Sequence, residues 1–159
     1  MNLQLIKASA QQKVVIKNLM QLYMYDFSEF IQSDVEENGL FAAYSNLDDY
    51  WKEDNNNFPY ILQKDEKYVG FLLVRFIESE QRQYFSIAEF FVMKKYRRKG
   101  IGKAAAYQIF SLHKGSWEVF QKETNKPAQL FWKSVIDEFT LGKFSERFED
   151  GKVIQEFES

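Results

Sequence analysis

Hydrophobic positions along the chain alternate between a two-residue and a 3.6-residue repeat, and each change of repeat marks an element boundary. Leu3 to Ala8 reads as a short strand. An amphipathic helix follows, with Ile16, Leu19, Met20, Tyr23 and Phe27 at helical spacing. From Ser28 to Asn57 the pattern weakens and carboxylates collect at Glu29, Asp34, Glu36, Glu37, Asp48, Asp49, Glu53 and Asp54, with a short helix predicted around 47–53. Strands then take over. Tyr60 to Gln63 and Tyr68 to Ile77 flank a hairpin turn at Lys64 to Lys67, and Tyr84 to Met93 is a further apolar strand. Gly70, inside the second of these, signals a bulge or a close backbone approach.

Gly100 to His113 is predicted as a helix burying Ile101, Ala104, Ala105, Ile109 and Leu112. Trp117 to Gln121 is a strand. A helix begins at Pro127, just after Asn125, with Ala128, Phe131, Trp132, Val135, Ile136 and Phe139 on one face. The last segment, Lys143 to Phe157, turns at Asp150-Gly151 as a hairpin. The element order is β-α-α-β-β-β-α-β-α-β-β, a mixed α/β layer fold expected to form a single domain over residues 1–159. The two prolines and seven glycines are scattered, and no repeat or linker is visible.

Composition narrows the chemistry. Aromatic residues make up 18% of the chain, so ring packing should dominate the core. A formal charge of −2 argues against a surface built throughout for nucleic acid. With no cysteine there can be no disulfide, thiolate metal site or cysteine acyl-enzyme. His113 is the one histidine, which leaves no zinc cluster and no Ser-His-Asp triad to build, so no metal is expected. The first residues lack the layout of a secretion signal, and no stretch is long and apolar enough for a membrane helix, so a cytoplasmic protein is the expectation.

The informative stretch is Ala88 to Lys103, which runs from an apolar strand through a basic loop with glycines at 100 and 102 into a helix. A helix N-terminus offers free N–H groups and the positive end of the macrodipole, and glycines there let an anion reach the backbone. Six basic residues lie between Lys94 and Lys103. These features describe a phosphate cradle, with a solvated basic turn or a nucleic-acid patch as the plainer alternatives. The glycine spacing does not fit a P-loop, and it fits a dinucleotide fingerprint only weakly, with Ala105 at the third position.

Arg97-Arg-Lys-Gly100-Ile-Gly102 resembles the Gln/Arg-x-x-Gly-x-Gly/Ala signature of the GNAT superfamily of N-acetyltransferases. Asn125-Lys-Pro-Ala128-Gln-Leu-Phe131-Trp132 is similar to that family's Asn-x-x-Ala-x-x-Phe/Leu-Tyr segment. The resemblance implies acetyl-CoA as cosubstrate, with its pyrophosphate held by the backbone of Arg97, Arg98, Lys99, Gly100, Ile101, Gly102 and Lys103. It implies a strand splayed at a bulge, whose main chain at Phe91, Val92 and Met93 pairs with the pantetheine arm. An amide near Val92 or Met93 would polarise the thioester. Glu89 is the candidate general base, with a strand carboxylate facing solvent or pairing with a lysine as the alternative. Asn125 would contact the cosubstrate or simply cap its helix. Trp132 stands where many members carry a tyrosine acid, and core packing is the stronger reading for it.

The reaction implied is transfer to a primary amine of a small molecule or peptide in a ternary complex. A non-catalytic acyl-CoA sensor of the same fold is the main alternative. The acidic residues Asp34, Glu36 and Glu37 would favour a cationic amine if they lie over the site. Homodimers are common in the family, and no interface signal stands out in the sequence.

Overall fold

The computed structural model describes residues 2–53 and 56–159, so Asp54 of the acidic group lies outside the described residues. Its elements are β1 (Leu3–Lys7), α1 (Lys13–Ile31), a 3-10 turn (Leu47–Trp51), β2 (Asn57–Lys64), β3 (Lys67–Glu78), β4 (Gln83–Val92), α2 (Ile101–Leu112), β5 (Ser116–Lys122), α3 (Lys126–Thr140), β6 (Phe144–Glu149) and β7 (Lys152–Glu158). They occur in the order expected from the sequence. Among the described residues, the weak pattern after α1 yields only the 3-10 turn.

The strands form a seven-stranded sheet in the order β1-β2-β3-β4-β5-β7-β6, antiparallel except where β4 meets β5. Both predicted hairpin turns form with left-handed residues at their centres: Asp65 and Glu66 between β2 and β3, and Asp150 and Gly151 between β6 and β7. Such turns match the twist of the strands they join.

Helices cover the sheet on both faces because its central strands are apolar on both. On one face α2 and α3 bury Ile109, Phe110, Trp132, Val135 and Ile136 against Leu72, Val74, Ile87, Trp117, Val119 and Phe157. The same side continues through Ile101 and Ala105 onto Leu62, Val69 and Val92. On the other face α1 and the 3-10 turn bury Ile16, Met20, Leu47 and Tyr50 against Ile61, Phe71, Leu73 and Phe91. The stripe of α2 falls slightly off the predicted one, since Phe110 is fully buried and Leu112 is 58% exposed. Tyr25 on α1 is also exposed.

His113 ends α2 and lies among the rings of Phe58, Phe85 and Trp117, with Nε2 2.7 Å from the Tyr60 hydroxyl. Burial, assisted by nearby Lys7, pushes its pKa down and keeps the ring neutral. Burial likewise pushes the Tyr60 hydroxyl up to about 12.

Two irregularities shape the centre of the sheet. Leu73 pairs with Glu89 while Val74 pairs with Ile87, so Ala88 is an extra residue and β4 is bulged there. Leu62 pairs with Gly70 while Gln63 pairs with Tyr68, so Val69 is extra in β3. Gly70 beside it has the close approach its sequence signalled: a Cβ there would lie 2.0 Å from the carbonyl oxygen of Phe91.

Candidate active site

β4 and β5 run parallel but pair only at Phe85 opposite Trp117. Beyond that point the strands diverge, and among the described residues no strand pairs with the C-terminal half of β4 on that side. Met93 N–H donates to the Val69 carbonyl at 2.9 Å, and Phe91 pairs with Phe71. Because antiparallel backbone groups alternate in direction, Phe91 and Met93 are committed to β3, while Phe90 and Val92 turn their N–H and C=O toward the gap. Of the two amides expected to polarise a thioester, Met93 is therefore occupied and Val92 is free. The peptide joining Phe91 to Val92 has its carbonyl pressed against Gly70 and its N–H in the gap. The missing side chain at Gly70 is what permits that orientation.

The phosphate-cradle loop leads away from the end of this strand. Arg98 and Gly100 both adopt left-handed backbone, with φ of 59° and 77°, and Gly100 caps α2. The first amide after the cap to find an acceptor is Ala104, bonded to the Gly100 carbonyl at 3.0 Å. Among the described residues, no hydrogen-bond acceptor meets the N–H groups of Arg98, Lys99, Gly100, Ile101, Gly102 and Lys103. A run of free amides at a helix N-terminus is an anion site, and a pyrophosphate fits its chemistry.

The side chains of this loop divide between the fold and the solvent. The Arg97 guanidinium donates through Nε to the Val92 carbonyl at 2.7 Å and through Nη2 to Asp26 of α1 at 2.6 Å. It thus braces the end of β4 against α1, leaving the loop's main chain for the ligand. Lys94 also approaches Asp26, at 3.6 Å, and Lys103 pairs with Glu138 at 2.6 Å. Arg98 and Lys99 have no carboxylate partner among the described residues. The Ile101 side chain is core, so only its amide can serve a ligand. A Cβ on Gly102 would sit 3.1 Å from the Phe131 ring, so this glycine also lets α2 pack closely against α3. Asn125 caps α3, its Oδ1 accepting from Ala128 N–H at 3.2 Å. Trp132 is buried beside Phe90, Phe110 and Phe131, as its place in an apolar stripe led one to expect.

Glu89 lies next to the bulge. Simple alternation would place Ala88 opposite it, but the extra residue brings both onto the α1 side of the sheet, with Phe91 and Met93. Among the described residues no cation pairs with its carboxylate. Instead Oε2 accepts a short hydrogen bond from the Tyr23 hydroxyl and Oε1 accepts one from Tyr44 at 3.2 Å. Burial pushes the Glu89 pKa above the ordinary carboxylate range, and the two hydroxyls oppose that rise. Both tyrosines are pushed well up in turn, first by burial and then by the Glu89 charge. Tyr44 left no sequence signal, being one aromatic in a stretch without periodicity. Tyr23 was legible only as a helix-face residue, and Asp26 only as one carboxylate on that helix.

An unpaired strand edge, a buried carboxylate beside it and a free-amide loop after it lie together at the C-terminal end of β4. Among the described residues no His/Cys/Asp/Glu group could hold a metal, and no helix is long and apolar enough to cross a membrane. No curated protein matches the sequence. Among solved structures, the chain is similar to an acetyltransferase from Thermus thermophilus, with 11% identity and a TM-score of 0.72 over 100% of this chain and 98% of that one. It is similar to the ribosomal-protein-S18-alanine N-acetyltransferase of Escherichia coli, with 12% identity and a TM-score of 0.62 over 98% of this chain and 93% of that one. An aminoglycoside acetyltransferase from an uncultured soil metagenomic sample, in complex with sisomicin, shares 18% identity and a TM-score of 0.60 over 84% of this chain and 87% of that one. At such identities the likeness carries the fold alone. The profile of the acetyltransferase (GNAT) family matches residues 17–135, which span the strand, the groove and the loop just described. With most of its length inside that match, the chain belongs to the GNAT acetyltransferase family, whose members transfer an acyl group from acyl-CoA to an amine.

Proposed function

We propose that residues 1–159 act as one N-acetyltransferase domain that moves the acetyl group of acetyl-CoA to a primary amine by direct attack in a ternary complex. The divergence of β4 from β5 beyond Phe85 and Trp117 is the observation that carries this reading. It leaves Val92 N–H facing a groove that ends on the free amides of Arg98 to Lys103. Those amides would hold the pyrophosphate, with Arg98 and Lys99 adding charge, and the main chain of Phe90 and Val92 would pair with the pantetheine arm. Val92 N–H would donate to the thioester oxygen as negative charge gathers there. Phe91 and Met93 keep that edge in place through β3, and Arg97 does so through the Val92 carbonyl.

A lysine-like amine with pKa near 10.4 is almost wholly protonated at pH 7, a handicap of roughly 4–5 kcal/mol, so a base is the main chemical requirement. Glu89, beside the bulge and with a raised pKa, suits that role. A dedicated acid is less necessary, because a thiol of pKa about 8.5 leaves readily as thiolate near neutral pH. Trp132 in place of the family's tyrosine therefore does not block turnover. The chain's lack of cysteine rules out a thioester acyl-enzyme, which supports direct transfer, and it fits a cytoplasmic setting.

The test is release of free thiol from acetyl-CoA across an acceptor panel. The panel should include sisomicin and peptides with alanine N-termini, since relatives of this fold act on aminoglycosides and on a ribosomal protein. Acceptor-dependent thiol release, with double-reciprocal plots that intersect rather than run parallel, supports the reading. Saturable acetyl-CoA binding without turnover on any amine would favour the sensor instead.

A further inference from the structure

We propose that Tyr44 is a further catalytic residue, passing the acceptor's proton to Glu89. The inference rests on the transferase reading above and concerns how the base is reached. Each oxygen of the Glu89 carboxylate already holds a tyrosine hydroxyl, Tyr23 on Oε2 and Tyr44 on Oε1. The two tyrosines are not equivalent. Tyr23 is fixed within the core, stacked on Phe27 at 5.6 Å and set edge-on to Phe71 at 5.7 Å and Phe91 at 5.9 Å. Tyr44 has no ring contact of this kind among the described residues. It comes from the irregular segment between α1 and the 3-10 turn, and it lines a cavity of about 770 Å³ together with Lys13, Gln21, Phe41 and Leu47.

A reciprocal pair of hydrogen bonds between the Gln21 side chain and the Phe41 backbone, at 3.0 and 2.9 Å, ties that segment to α1 and holds Tyr44 over the carboxylate. Tyr44 is thus the Glu89 partner that also lines a cavity. A phenol can accept a proton at its oxygen while donating its own, so the hydroxyl can relay without ever becoming a free tyrosinate. That matters, because burial and the Glu89 charge both oppose ionisation of Tyr44.

In the step, the amine nitrogen bonds to the acetyl carbon and loses a proton to Tyr44 Oη, as the Tyr44 proton passes to Glu89 Oε1. The C–S bond then breaks with its electron pair on sulfur, and Glu89 returns the proton by the same path to the thiolate or to water. The other groups that act on this triad are Tyr50 on the 3-10 turn, Arg75 on β3 and Asp26 on α1.

The experiment compares Tyr44→Phe with Tyr23→Phe in full pH–rate profiles and solvent-isotope proton inventories, with acetyl-CoA affinity as the check on folding. Tyr44→Phe should lower the plateau kcat by about 10²-fold, the lower end of the range for lost proton-transfer catalysis, with acetyl-CoA binding retained. Its inventory should turn from a curve, with two protons in flight, to a line. Both variants remove a donor to the carboxylate, so both should move the acid limb to higher pH, but Tyr23→Phe should lower the plateau less and keep the curved inventory. A normal plateau and a curved inventory in Tyr44→Phe, or equal losses in the two variants, would overturn the relay and leave the transferase intact. A wild-type chain inactive on every amine would overturn the transferase reading and the relay with it.

Discussion

Replacing Gly70 with alanine is the most informative single change to the fold. The new Cβ would lie 2.0 Å from the Phe91 carbonyl oxygen, 3.0 Å from its carbon and 3.1 Å from the Val92 Cα. All three atoms are backbone, so no rotamer change can relieve the contact. β3 and β4 must separate, or the Phe91–Val92 peptide must rotate. Overpacking of this kind costs about 1–3 kcal/mol. Loosening about two neighbouring ladder bonds, Met93 N–H to the Val69 carbonyl among them, adds about 1 kcal/mol each, for a total of about 3–5 kcal/mol. For a chain of this size each kcal/mol moves Tm by roughly 2–4 °C, so a fall of roughly 6–20 °C is expected. Rotation of that peptide also turns Val92 N–H out of the groove. Fully folded Gly70→Ala at low temperature should therefore show a lower kcat as well. Thermal denaturation by circular dichroism and steady-state turnover at about 10 °C, where the variant stays folded, read the two effects separately. A Tm within about 2 °C of wild type would refute the packing argument, and a Tm loss with unchanged kcat would refute the role given to the peptide.

The groove allows further tests. Glu89→Gln should lower kcat by about 10²–10⁴-fold with acetyl-CoA affinity nearly unchanged, as steady-state kinetics and calorimetry would show. Because the Glu89 pKa is raised on folding, the native state holds the proton more tightly than the unfolded chain. The carboxylate's contribution to stability is complete below the usual value near 4.5 and is lost as pH rises through the folded value, so Glu89→Gln should flatten a fall in Tm over that window. His113 has the opposite slope: with its pKa depressed, stability is present above the usual value near 6.5 and lost as pH falls through the folded value, and His113→Gln should remove that acid-side loss from a Tm–pH profile. If Arg97 braces β4 through Asp26, then Asp26→Asn and Arg97→Ala should be non-additive in urea denaturation, whereas a guanidinium bound only to phosphate would leave the two changes additive.

The elements were legible because their signals are local. Periodicity located α1, α2 and α3, and Asp150-Gly151 and Pro127 marked a turn and a helix start. The free-amide loop was legible for the same reason, since Gly100 and Gly102 open a helix that follows a strand. What escaped was whatever depends on contacts distant in sequence. The family resemblance implied a bulge in β4, but its place at Ala88, which brings Ala88 onto the Glu89 face, is revealed only by the pairing with Leu73 and Val74. Arg97 reads as one more cation in a basic run until Asp26, 71 positions earlier, is seen to hold it. Tyr44 lies 45 positions from Glu89 in a segment held by packing rather than propensity.

The central claim is that acetyl-CoA lies along the free edge of β4 with its pyrophosphate on the loop after it. Backbone amide NMR of the isotopically labelled chain during an acetyl-CoA titration tests it most directly. Saturable shifts should concentrate at Phe90, Val92 and Arg98 to Lys103, with Met93 little changed because its N–H is already bonded to Val69. Saturable shifts elsewhere, or none on this edge and loop at millimolar acetyl-CoA, would contradict it.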